Sequence, residues 1–246
     1  MLLAGNILAN ADDFGIRPSV NKAILQCFEN GYINSTSLMS NMPGFAEAVQ
    51  MAHDNVFIKN IGAHINMAEG LPLTNVGREF LNSAGEWDLQ KTGRASNFYS
   101  SSQKAALLAE ISAQVNKALA SGVQLTHIDS HYHLHTLPGM YALFLAVAKQ
   151  YKLKIRLAQT YREGSFLKYW YRLYINSRFA AGNLAYTEHF HTVEYFLGRG
   201  GEQGVKGTVE VMLHPDIDSK GGLTDHYDPK TMVNWLTYIQ QTHGNS

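Results

Sequence analysis

The sequence predicts an α/β fold in which a parallel sheet is covered by helices, and three observations carry that prediction. Strand-like and helix-like segments alternate along the whole chain. Its 246 residues are enough for one large domain with a full core. Hydrophobic residues make up 45% and charged residues 16%, a globular composition with few charges. Six or seven β-then-α units in this length fit either a closed barrel or an open, doubly wound sheet.

Taken in order, residues 6–11 read as a buried strand. A helix follows over 19–30, with Pro18 near its start and Gly31 just past its end. Residues 33–40 are the next strand, 45–53 a helix and 58–65 a third strand. The clearest helix is 103–120, where Leu107, Leu108, Ile111, Val115 and Leu119 recur at helical spacing and Gly122 ends the run. A strand over 123–129, a helix over 139–150, a strand over 153–157, a helix over 166–179 and a short strand over 184–187 continue the alternation. Residues 208–213 alternate apolar side chains as a strand, and 229–241 close the chain as a helix. The rhythm breaks over 67–102, a stretch rich in Gly, Asn and Ser with no clean period, which marks a lid or an insertion. No linker and no internal repeat divides the chain, so 1–246 reads as a single domain.

Composition excludes several classes of function. Lys plus Arg and Asp plus Glu are 20 each, so there is no basic footprint for nucleic acid or a membrane surface. A surface with so little charge is compatible with self-association, and a homodimer is one expectation. The one cysteine, Cys27, can build neither a disulfide framework nor a zinc ribbon and reads as a small buried hydrophobe. The start MLLAGNILANADDFG is apolar but lacks a cationic leader, so it reads as a first strand rather than a signal peptide. No apolar run reaches the length of a membrane span, and a cytoplasmic location is the default expectation.

Polar clusters sit at strand ends, where parallel α/β folds build their sites. The first is Asn10-Ala11-Asp12-Asp13-Phe14-Gly15. Two adjacent carboxylates at the end of an apolar strand cost solvation unless a metal or a cationic partner meets them; otherwise they are an anionic turn before the helix. The second, Gly62-Ala63-His64-Ile65-Asn66, is uninformative alone, because a lone His is more often a hydrogen-bonded core residue. The third runs from Thr126 to His135 and alternates His127, Asp129, His131, His133 and His135, which an extended chain would present on one side. Strand rise spreads them too far for one ion, so one ligand is expected, with the others behind it or on substrate. The alternative is a His-rich surface hairpin. Two His and one Asp around an ion leave coordination positions open, the arrangement of a catalytic site that acidifies water and polarises a carbonyl. A neighbouring carboxylate can take the water's proton. Asp12 is the candidate, since consecutive residues do not easily chelate one ion from an extended strand. His214, in Met212-Leu213-His214-Pro215-Asp216, can supply a proton to a leaving amine.

With these clusters together, the chain resembles the YdjC family of carbohydrate deacetylases, which includes the chitooligosaccharide deacetylases. ANADDFG is the most specific segment; NGYINSTSLMSNMPGFAEAV, IGAHIN, THIDSHYHLH and VMLHPD follow in the family's order over almost the whole length. The resemblance implies a distorted (β/α) TIM-like barrel of about seven parallel strands, related to the polysaccharide deacetylase barrel. It also implies hydrolysis of the N-acetyl amide of an amino sugar. By motif position it makes Asp13, His64 and His131 the ligands of one divalent ion, Zn2+ or Mg2+. Asp12 becomes the general base and His214 the general acid, and Arg156 matches an Arg that could orient Asp12 and keep it ionised. The sequence departs from the family at AHINMAEG and at HPD, where many relatives read HPG. Both changes fall at the rim of the site, and the resemblance assigns no role to His127, His133 or His135. In a sugar-handling enzyme Trp87, Phe98 and Tyr99 could stack on a pyranose face, or simply pack beneath their loop. The rival readings are another metal-dependent barrel hydrolase (an aminohydrolase or a phosphoesterase) and a non-catalytic sugar-binding protein.

Overall fold

The computed structural model describes residues 3–243, with side chains through residue 242; residues 1–2 and 244–246, the ends of the single-domain reading of 1–246, lie outside the described residues. Along the chain run β1 (Ile7–Phe14), α1 (Pro18–Glu29), β2 (Ser35–Leu38), α2 (Phe45–Asp54) and β3 (Ile61–Ile65). Then come α3 (Leu89–Thr92), α4 (Ser101–Ala120), β4 (Leu125–Ser130), α5 (Tyr141–Tyr151), β5 (Lys154–Ile155) and α6 (Phe166–Ala181). The last third holds β6 (His189–Thr192), α7 (Val193–Gly198), β7 (Val209–Leu213), β8 (Pro215–Ile217), β9 (Leu223–Asp225) and α8 (Pro229–His243). The first seven strands are all parallel, in the order β5-β4-β3-β2-β1-β7-β6, and β8 and β9 form a separate antiparallel hairpin. The two edges of the curled sheet are tied together. Ile155 of β5 bridges Ala185, Tyr186 N donates to Ile155 O at 2.8 Å, and Thr160 N donates to Phe190 O of β6 at 3.3 Å. The architecture is the distorted (β/α) barrel with seven strands.

The strand sequences explain why the sheet curls this way. Along each strand, side chains alternate between the two faces. Ala9, Ala11, Ala63, Ile65, Ile128, Ile155, Val209, Val211 and Leu213 face outward and bury against the helices in two core clusters. The residues between them, Asn10, Asp12, Ser37, His127, Asp129, Arg156 and Glu210, point into the barrel, where they hydrogen-bond across strands. The barrel interior is therefore polar, and the apolar core is the layer between sheet and helices. Gly62 of β3 makes room for this filling. A Cβ there would lie 2.3 Å from His127 Nε2. Gly62→Ala is expected to displace the His127 ring and to lower the urea midpoint by an amount equivalent to about 1–3 kcal/mol, the usual penalty for overpacking.

The helices start and stop at the expected signals. Pro18 opens α1, and Ser100 with Gln103 forms a reciprocal capping box on α4. Three features differ from the sequence reading. The short strand expected over 184–187 is only the Ala185 bridge, and the regular strand comes later, at His189–Thr192, whose HFHT has three polar side chains in four. The extended stretch expected through the His-rich cluster stops at Ser130. His131–Thr136 is a 3-10 turn in which Tyr132 and His133 adopt φ of 51° and 54°. The aperiodic segment 67–102 is packed rather than loose: Phe80 and Trp87 join the core, and Trp87 and Tyr99 both contact the Phe80 ring, whereas Phe98 is exposed. Glu110 of α4, fully buried, accepts hydrogen bonds from Leu73 N, Thr74 N and Thr74 Oγ1 at 2.6–3.0 Å, stitching the segment to the barrel wall.

Candidate functional site

The C-terminal ends of β1, β3 and β4 deliver the acidic and imidazole side chains, and β1 does so through an irregularity. Consecutive residues on a regular strand face opposite sides, which would send Asp12 and Asp13 apart. Instead the β1–β2 register shifts between Ala11 and Phe14, and Asp13 takes a left-handed φ of 70°. This bulge turns both carboxylates to the barrel mouth. A non-glycine residue held there stores about 1–3 kcal/mol of strain, which the surrounding contacts must offset. Gly15, at φ 94°, completes the turn; a Cβ there would sit 2.8 Å from Met39 O.

Asp13 Oδ1 lies 3.1 Å from His64 Nε2 and 2.9 Å from His131 Nδ1, and the three side chains are buried. Their ligand atoms converge within 4.8 Å of one another. Each imidazole is backed by a carboxylate. His64 Nδ1 donates to Asp129 Oδ1 at 2.7 Å, and His131 Nε2 is 3.1 Å from Glu69 Oε1. That pattern fixes ring orientation and tautomer in metal sites. Asp12, His64 and Asp129 form a second convergent group, but a cation already fills it. Arg156 Nη1 donates to Asp12 Oδ2 at 2.7 Å, and Nη2 reaches Asp12 Oδ1 at 2.6 Å and Asp129 Oδ2 at 2.7 Å. Its Nε donates to Glu210 Oε1 at 2.7 Å. Of these two groups among the described residues, Asp13–His64–His131 is the one open to an ion.

Electrostatics favour positive charge at that point. Asp12, Asp13 and Asp129 are buried beside one guanidinium, which leaves two negative charges to be met. Burial acts to raise the proton affinity of Asp13, but His131, His226 and His64 outweigh it and hold the carboxyl well below its usual range. His64 is pushed up to about 10 because Asp129, Asp12 and Asp13 overcome its burial; His131 is raised too, chiefly by Asp13 against its own burial. A divalent ion meets the same demand with neutral imidazoles as ligands, so donor set and charge both fit. For Asp12, burial is again the largest influence and acts upward, yet Arg156 and His64 prevail, so the carboxyl stays ionised.

His214 begins beyond β7, its Nε2 3.8 Å from Asp12 Oδ2. Burial outweighs the nearby Asp12, Asp13 and Asp225 and lowers its pKa, which makes it neutral at rest. The other histidines of the third cluster take separate places. His127 stacks on Tyr186 with ring centroids 4.0 Å apart, deep in the barrel. His135 is locked by Ser130, whose Oγ lies 2.8 Å from its Nδ1. His133 lies beside Phe190 and lines a cavity of about 660 Å³ that also takes in Tyr132, Leu137, Tyr171 and Arg172. That volume falls in the range of roughly 300–1,000 Å³ typical of small-molecule sites.

All six residues singled out from sequence come together here: Asp13 meets His64 and His131, while Asp12 meets Arg156 and lies 3.8 Å from His214. The sequence reading missed Glu69, Glu210, Asp225 and His226. Asp225 Oδ2 accepts from His214 N at 2.9 Å, and His226 Nε2 sits 3.0 Å from Asp13 Oδ2. Their only sequence signal was the run Thr224-Asp225-His226-Tyr227-Asp228, unusually polar for the approach to a helix.

A family model described as YdjC-like protein matches residues 6–242. A carbohydrate deacetylase of Geobacillus stearothermophilus is 34% identical over 155 residues, covering 63% of this chain and 60% of that protein. A carbohydrate deacetylase of Vibrio campbellii is 36% identical over 152 residues, 61% of this chain and 58% of that protein. The chain thus matches about three-fifths of the length of these curated relatives. Among solved structures, a proposed cellobiose-phosphate cleavage protein of Enterococcus faecalis V583 superposes with a TM-score of 0.72 at 22% identity, covering 97% of this chain and 94% of that one. At that identity the likeness speaks for the fold alone.

Proposed function

The chain belongs to the YdjC-like protein family, and from that premise we propose that it hydrolyses the N-acetyl amide of an amino sugar or short chitooligosaccharide, releasing acetate. The observation that carries the reading is the buried convergence of Asp13, His64 and His131 beside a carboxylate, Asp12, held ionised by Arg156. Asp13, His64 and His131 would hold one divalent ion; two imidazoles favour zinc and the carboxylate suits magnesium. Such an ion, when bound, polarises the amide carbonyl and lowers the pKa of water.

The chain's own residues then manage the protons. Asp12 takes a proton from the attacking water, and Arg156 keeps the carboxylate oriented and charged between turnovers. His214, neutral at rest, stands 3.8 Å from Asp12 Oδ2, near enough to pick up a proton during turnover and hand it to the departing nitrogen as the C–N bond breaks. Tyr132, Tyr171 and Phe190 offer ring faces on which a pyranose can lie in the adjoining cavity.

The rest of the reading concerns the whole protein. Residues 1–246 act as a single catalytic domain, with 67–102 an insertion that walls the substrate site. No helix among the described residues is long and apolar enough to cross a membrane. If a homodimer forms, the exposed Leu167, Trp170, Leu173 and Tyr174 on α6 offer the apolar face for it.

Acetate release from N-acetylated chitooligosaccharides, measured with and without a chelator, tests the central claim. Release that a chelator abolishes and zinc or magnesium restores is the expected result. A protein that binds metal yet releases no acetate from any amino sugar tried would favour the other hydrolase classes or a sugar-binding role.

A further inference from the structure

We infer that His226 is a positioning residue for the ion: it holds the outer oxygen of Asp13 so that the inner oxygen is presented to His64 and His131. The inference rests on the metal reading of that trio. The two oxygens of Asp13 have divided surroundings. Oδ1 faces both imidazole nitrogens of the trio, whereas Oδ2 faces His226 Nε2 at 3.0 Å. A carboxylate oxygen buried this deeply is costly without a polar neighbour; Asp13 Oδ2 makes no aligned hydrogen bond among the described residues, and His226 Nε2 at 3.0 Å is the charge-complementary group that faces it. His226 lies outside the convergent group of ligand atoms, on the opposite oxygen.

Its placement is rigid. His226 follows β9 directly, and its backbone N donates to His214 O at 3.1 Å. Asp225 Oδ1 accepts from Tyr227 N at 3.0 Å and Asp228 N at 3.2 Å, closing a tight turn around the residue. The side chain is only 11% exposed, and its Nδ1 is buried with no hydrogen-bond partner among the described residues. Leaving one ring nitrogen unsatisfied carries a desolvation penalty, so packing alone would not favour a His here. The close approach of Nε2 to Asp13 is the offsetting contact. The end of the β8–β9 hairpin, which lies outside the parallel sheet, thereby reaches the carboxylate of β1.

The test compares wild type, His226→Ala and His226→Gln for Mn2+ binding, with free ion read by electron paramagnetic resonance, alongside thermal melting of the metal-free proteins. The expected result is an affinity lower by about tenfold or more in the Ala variant, the usual effect of losing an outer-shell partner. His226→Gln, whose amide can still donate toward Asp13, should recover part of the loss, with metal-free melting close to wild type in both. Two results overturn the role of His226 alone: an Ala variant that binds Mn2+ as tightly as wild type, or an affinity loss that Gln leaves untouched while metal-free melting falls in step. A wild-type protein that binds no Mn2+, Zn2+ or Mg2+ overturns the metal reading itself and this inference with it.

Discussion

Asp12→Asn is expected to lower turnover on N-acetylated amino sugars by about 10²–10⁴-fold, the usual contribution of a general base. The substitution keeps shape and removes charge. The amide oxygen can still accept from Arg156, and Arg156 keeps Asp129 and Glu210 as partners, so the fold has little reason to fail. What disappears is the group able to take a proton. Asp12 is not part of the Asp13–His64–His131 convergence, so metal affinity should change by no more than a few fold. Turnover and bound metal are therefore measured on the same preparation. Near-normal turnover would remove Asp12 from the base role, and loss of metal together with activity would show that it is a ligand.

Arg156→Met should destabilise the protein by about 3–5 kcal/mol, the cost of breaking a buried ion pair on one side. Three carboxylates, on Asp12, Asp129 and Glu210, lose their guanidinium at once. The penalty should depend on pH in a direction the wild type fixes. Burial pushes Asp12 and Asp129 up, but Arg156, joined by His64, overrides it and holds both below the usual carboxylate value of 3.8. Their pairing therefore contributes stability above pH 4 or so, lost as pH falls through the depressed values. Glu210 behaves oppositely, because burial prevails over Arg156 and raises it from 4.5 to about 7. Its contribution is complete below its unfolded value and fades as pH rises through 7. Without Arg156 all three carboxyls shift upward and are neutralised by protonation more readily. The variant's deficit in urea midpoint should thus be smaller at pH 5 than at pH 8. A deficit independent of pH, or one below about 1 kcal/mol, would mean that the network is not held together by this charge.

The apolar pattern of the strands was legible because it is local, a buried run at residues 6–11 and an alternation at 208–213. It located β1, β3, β4 and β7, and it placed Asp12, His64, Asp129 and His214 at strand ends before any contact was known. The bulge was not legible. Nothing in Ala11-Asp12-Asp13-Phe14 announces that Asp13 will turn left-handed, because that conformation is imposed by the neighbouring β2 register and by the packing around Gly15. The same holds for Tyr132 and His133, whose positive φ values break the period that made the five polar residues look coplanar. Arg156 could be suspected but not weighed, since its importance lies in three carboxylates from three other strands. His226 and Asp225 escaped because they sit on a hairpin whose residues answer to the barrel mouth rather than to any repeat of their own.

The hydrogen bonds from Leu73 and Thr74 to Glu110 have a further effect. Four to five residues upstream the same rim carries Glu69, which touches His131. The rim is thus tied at one point to α4 and at another to His131, so the segment 69–74 links the barrel wall to the side chain of a candidate ligand. A substitution that frees Glu110 from Leu73 and Thr74 would therefore be felt at the His131 ring through Glu69, without touching His131 itself.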